Sequence, residues 1–118
     1  MITGHPLSVV FYKTDSGNEP VREWLRDLPR EERKIIGEDI KTVQFGWPLG
    51  MPLVKKMEPN LWEVRSKLRN RIARVLFTMH EGRLIVLLHG FIKKTEKTSA
   101  EDLNLARKRM HEVLGGEV

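Results

Sequence analysis

Apolar and polar residues change period several times along the chain, and each change marks an element. Ser8–Lys13 (SVVFYK) reads as a short strand running into the polar TDSGN loop. Val21, Trp24, Leu25 and Leu28 recur at i, i+3, i+4 and i+7, the stripe of an amphipathic helix, with Pro20 in its first turn. Pro29 then breaks the chain, and Glu31 and Glu32 suit the first turn of a second helix. Its buried stripe is Ile35, Ile36, Ile40 and Val43, and it ends near Gly46. The GWPLGMP segment (46–52) is a loop by its two glycines and two prolines. Three strands follow at about 61–68, 71–79 and 84–92. Arg69-Asn70 and Glu81-Gly82 supply their two turns, the second resembling the Asp-Gly hairpin signal. A last helix starts at Ser99, which with Asp102 resembles a capping box. Leu103, Ala106, Met110, Val113 and Leu114 form one face of it, and Gly115-Gly116 stops it.

The order β-α-α-β-β-β-α groups strands after helices, which predicts an α+β fold. The expected sheet is small and antiparallel, with the two N-terminal helices packed on one face and a C-terminal helix to follow. No internal repeat or linker interrupts the 118 residues, so one domain over 1–118 is expected.

Composition narrows the class. With 40% hydrophobic and 31% charged residues the chain reads as globular, not disordered. The absence of cysteine removes disulfides, thiolate nucleophiles and cysteine-ligated zinc. The longest strongly apolar run, Leu84 to Leu88, is far short of a membrane span. MITGHPLSVV shows neither a basic leader nor an apolar core, so no signal peptide and a cytoplasmic address are expected.

The formal charge is +5, and its distribution is uneven. Residues 1–45 carry seven basic and eight acidic groups, whereas 55–74 carry seven basic against two acidic. Residues 93–109 add six against three. An excess concentrated on strands predicts contact with a polyanion. Lys55, Lys56, Lys67, Arg69 and Arg71 are the expected phosphate contacts.

Two-residue hairpin loops would place Val64 opposite Val75 and Trp62 opposite Phe77, with Leu88 and Val86 completing the rows. These apolar rows belong against the helices, including Trp24, Leu25, Ile36 and Ile40. On the other face Arg65 meets Arg74 and Arg74 meets His89, with Ile72, Phe91 and Lys93 beyond. Two arginines directly opposite repel by about 0.2–1 kcal/mol, a penalty an anionic ligand converts into a site. The alternative is that Glu63 or another carboxylate neutralises one of them. For His89, a packed, hydrogen-bonded role competes with proton transfer. Phe91 reads as core before stacking platform. The four histidines show no HxH or HExxH spacing, so no metal is expected.

The combination LWEVR (61–65), RIARVLF (71–77) and HGFIKKT (89–95) resembles the RelE/ParE toxin superfamily, most of all its HigB-type branch, which includes phage-derived Gp49-like proteins. SVVFYKTDSGNEPVREWLRDLP (8–29), PLVKKMEPNLWEVR (52–65) and LLHGFIKKTEKTSAEDLNLARKR (87–109) extend the likeness over most of the chain in the family's order. The resemblance implies a RelE-like fold and the toxin of a type II toxin–antitoxin system, a ribosome-dependent mRNA endoribonuclease. It implies a cognate antitoxin, usually a helix-turn-helix, HigA-like repressor, with the ribosome and mRNA as the other partners. Arg65 and Arg74 fall on the family's two strand arginines, and Lys93 and Lys94 on the basic residues after the last strand. Relatives often carry tyrosine near the site; here Phe77 stands instead, and the one tyrosine is Tyr12.

Such chemistry needs neither metal nor cofactor, because RNA supplies its own nucleophile, the 2′-hydroxyl. Arg65 and Arg74 would clamp the phosphorane-like state, and either Lys93 or His89 would move protons. Two other readings stay open from sequence: a ParE-like DNA gyrase inhibitor, and a non-catalytic basic nucleic-acid-binding domain.

Overall fold

A computed structural model describes residues 7–93 and 97–115. The elements are β1 (Ser8–Phe11), α1 (Pro20–Arg26), α2 (Arg30–Gly46), β2 (Val54–Glu58), β3 (Leu61–Lys67), β4 (Ile72–His80), β5 (Leu84–Lys93) and α3 (Ala100–Gly115). The strands form one sheet in the order β1-β5-β4-β3-β2. The fold is α+β, as expected, with two additions. β2 is an extra edge strand, read over by the sequence pattern because Val-Lys-Lys-Met-Glu is short and charged, as edge strands are. β1 runs parallel to β5, so the sheet is mixed and not purely antiparallel.

Both faces of the sheet are covered. On one, α1 and α2 bury Val21, Ile36, Ile40 and Val43 against Val54, Val64, Val75, Phe77, Ile85 and Leu87, with Trp24, Leu25 and Trp62 packed around them. On the other, Ala106 and Met110 of α3 pack on Leu61, Leu76, Val86, Leu88 and Phe91. Ser99 caps α3, its Oγ accepting from the Asp102 amide at 3.1 Å. No helix among the described residues is long and apolar enough to cross a membrane.

The β3–β4 hairpin has the expected register. Trp62 faces Phe77, Val64 faces Val75 and Arg65 faces Arg74, and the Leu68 amide donates to the Arg71 carbonyl across the Arg69-Asn70 turn. The β4–β5 hairpin does not. His80 pairs with Leu84 around a three-residue loop in which Glu81 and Gly82 both have positive φ, so the register slips by one residue. A bulge at Leu88 slips it again: Phe77 faces Leu87, whereas Leu76 faces His89. Val75 therefore meets Gly90, Arg74 meets Phe91, and Leu87 replaces Leu88 beneath α1 and α2. One slip alone would have turned His89 to the α1 face; the second returns it to the α3 face. Gly90 lies under Trp24 so closely that an added Cβ would sit 2.4 Å from the indole ring. Only glycine fits there.

Candidate active site

The face beneath α3 gathers Glu63 and Arg65 from β3, Arg74 from β4, and His89, Phe91 and Lys93 from β5. Arg65 and Arg74 share this face as the register predicts, but burial separates their surroundings. Arg74 is 1% exposed and Glu63 0%. Arg74 Nη1 donates to Glu63 Oε1 at 3.3 Å and to Thr98 Oγ1 at 3.2 Å, and Thr98 donates to Glu63 Oε2 at 2.5 Å. The sequence reading sets both arginines on the face away from the apolar rows, ready to clamp a phosphate; Arg74 is on that face but buried there. The segment leading into α3 closes over it, and Glu63 neutralises it.

Arg65 stays within reach of solvent, its side chain 19% exposed, with Nε 3.9 Å from Glu63 Oε1. That Nε is buried and makes no hydrogen bond with a described residue. Arg65 lines a cleft of about 350 Å³ together with Asp39, Pro52, Leu53, Lys67 and Ile72. A buried carboxylate behind a partly open guanidinium holds the cation in place without covering its outer edge.

Two strands away from Arg65 on the same sheet face, His89 Nε2 lies 2.8 Å from Asp102 Oδ1, and the imidazole stacks on Phe91 with centroids 5.2 Å apart. An ionised carboxylate only accepts, so against Asp102 the ring nitrogen Nε2 is the donor of this bond. Ser99 Oγ donates to Asp102 Oδ2 at 2.7 Å, and Lys93 Nζ stands 3.5 Å from the same oxygen. Burial works against the charged carboxylate, but hydrogen bonds from His89 and Ser99 and the charges of His89 and Lys93 hold Asp102 below its ordinary pKa. His89 is therefore packed and hydrogen-bonded at one edge, while its ring remains partly exposed.

The expected phosphate contacts are dispersed. Lys55, opposite Glu63, shares the α3 side with Lys67, and both are exposed. Lys56, opposite Trp62, falls on the other face of the edge strand. Arg69 is exposed in the β3–β4 turn. Arg71 is already engaged: Nη2 and Nε donate to Glu32 at 2.6 and 3.2 Å, which raises its pKa. Lys94 lies outside the described residues.

Three residues escaped the sequence reading as site members. Asp102 shows there only as a helix cap, although its position thirteen residues after His89 across a strand-to-helix connection was visible. Glu63 was named only as a neutraliser, and Thr98 not at all, since nothing local marks a threonine as the bridge of a buried ion pair. Among the described residues, no three histidine, aspartate or glutamate side chains cluster so as to hold a metal ion.

A family model described as phage derived protein Gp49-like (DUF891) matches residues 23–111, well over half of the chain. That span contains Arg65, His89, Lys93 and Asp102. Among curated proteins, no relative matches.

Proposed function

From the premise that the chain belongs to the Gp49-like family of phage-derived proteins, a family associated with RelE- and HigB-like toxins, we propose that it is the toxin of a type II toxin–antitoxin system that cleaves mRNA on the ribosome. The observation that carries this reading is that one sheet face presents a partly open arginine, a lysine and a histidine, with α3 bringing Asp102 onto the histidine. The 2′-hydroxyl attacks the adjacent phosphorus, the P–O5′ bond breaks, and a 2′,3′-cyclic phosphate and a 5′-hydroxyl result. Arg65 and Lys93 bind the non-bridging oxygens, whose charge grows in the transition state. His89 Nδ1 takes the 2′-hydroxyl proton, Asp102 on Nε2 orients the ring and stabilises the imidazolium, and a water molecule protonates the departing 5′-oxygen.

Arg74 belongs to this account as a positioning residue. With Glu63 and Thr98 it fixes the carboxylate against which Arg65 rests. Lys55, Lys56, Lys67, Arg69 and Lys94 bind phosphates of mRNA or ribosomal RNA. The cognate antitoxin is a helix-turn-helix, HigA-like protein, and the compartment is the cytoplasm.

Induction in cells tests the reading. Rapid mRNA cleavage with translation arrest supports it. DNA damage with intact mRNA points to a gyrase inhibitor, and growth without arrest points to a plain nucleic-acid-binding domain.

A further inference from the structure

We propose that Arg109 is a positioning residue for His89, acting through the carbonyl of Leu88 in the β5 bulge; this rests on the proton-transfer reading of His89. Leu88 has no cross-strand partner, because the ladder passes from Phe77–Leu87 directly to Leu76–His89. A bulge takes its extra residue out of the ladder, and a buried carbonyl so released needs another donor. Arg109 Nη1 supplies it at 2.8 Å.

Arg109 is itself held. Its guanidinium lies 5.2 Å from the centroid of the Tyr12 ring, and the buried Tyr12 donates its hydroxyl to the Glu112 carboxylate. Burial draws the Arg109 guanidinium below its ordinary pKa, as expected for a desolvated cation bonded to a carbonyl. On β5 the preceding carbonyl, Leu87, accepts from the Tyr12 amide at 2.9 Å. The two residues before His89 are therefore pinned from β1 and from α3.

Asp102 and Arg109 stand seven residues apart on α3, two turns along one face, about 10 Å by the helical rise. One helix thus grips both the imidazole of His89 and the carbonyl preceding it. Without the Arg109 donor, the direct relief for Leu88 is return to a regular ladder. That slip of one residue turns His89 to the α1 face and breaks its bond to Asp102. Arg109 is absent from the Arg65 cleft, so its effect on cleavage passes through His89.

The test compares Arg109→Met and Arg109→Lys by ring-nitrogen NMR of His89 and by mRNA cleavage at saturating ribosomes. Arg109→Met is expected to lose the Asp102-bonded ring signature and to slow turnover about tenfold or more, with ribosome binding unchanged. Arg109→Lys, which keeps a donor, is expected to give an intermediate spectrum and rate, and it serves as the reporter if Arg109→Met does not fold. In a His89→Ala background, Arg109→Met is expected to add no further loss. Wild-type ring signals in either variant, or an undiminished Arg109→Met effect without His89, would overturn the proposal. A wild-type protein that cuts no mRNA would instead overturn the nuclease reading, and the ring spectra would still decide whether Arg109 holds His89.

Discussion

Arg65 and Arg74 face each other across β3 and β4, and burial separates their roles. Arg65→Ala removes the open charge from the site and leaves the core intact. Loss of growth arrest is expected, with cleavage down about 10²–10³-fold and an unchanged melting temperature. Arg74→Ala leaves Glu63 charged and buried, which costs about 3–5 kcal/mol. Thermal denaturation should show a large drop, and lost toxicity in that variant reports unfolding before chemistry. At Asp102 the expectation concerns pH. Its folded-state pKa lies below the unfolded value, so its contribution to stability is complete above the unfolded carboxylate pKa and disappears as pH falls through the folded one. Asp102→Asn should flatten the acid limb of the stability–pH curve, which denaturant titrations across that range would reveal. The sequence held open that Glu63 neutralises one of the two arginines, but not which one, since a glutamate between tryptophan and valine looks like surface charge until the segment leading into α3 covers it.

Among the elements, β5 decides which side chains reach the site. Its apolar run Ile85-Val86-Leu87-Leu88 does not alternate, so nothing in the pattern marks Leu88 as the extra residue. The β3–β4 register was legible because Trp62, Val64, Val75 and Phe77 alternate cleanly around a two-residue turn. The Glu81-Gly82 pair was a sound turn signal, but Arg83 joins the loop and shifts every later pair. The stripe of α3 was equally plain, whereas the face it covers was not, because a helix stripe names no partner. Gly90 provides a test at this scale. Gly90→Ala drives a methyl group into the Trp24 indole and should destabilise the protein by about 1–3 kcal/mol, readable in denaturant midpoints. Ser99→Ala removes the α3 cap and a bond to Asp102; a loss of about 1 kcal/mol is expected.

At the scale of the whole molecule, two helices insulate one sheet face while α3 covers β4 and β5 on the other, leaving Lys55, Arg65 and Lys67 toward the β2 side with open charge. Binding to ribosomes through such cations releases counterions, so affinity should fall steeply between low and physiological salt. A Lys55→Ala/Lys67→Ala variant should bind more weakly and show a shallower salt slope, whereas Arg71→Ala should change binding little because Glu32 already holds that guanidinium. The central claim is that the Arg65, Lys93 and His89–Asp102 face cleaves mRNA by means of its own 2′-hydroxyl. End-group analysis of mRNA fragments from purified ribosomes incubated with the protein tests it most directly. The expected fragments carry 2′,3′-cyclic phosphates and 5′-hydroxyls, and their yield falls sharply with Arg65→Ala and His89→Ala while residual cleavage stays measurable. Intact mRNA, or fragments ending in 3′-hydroxyls and 5′-phosphates, would contradict the account.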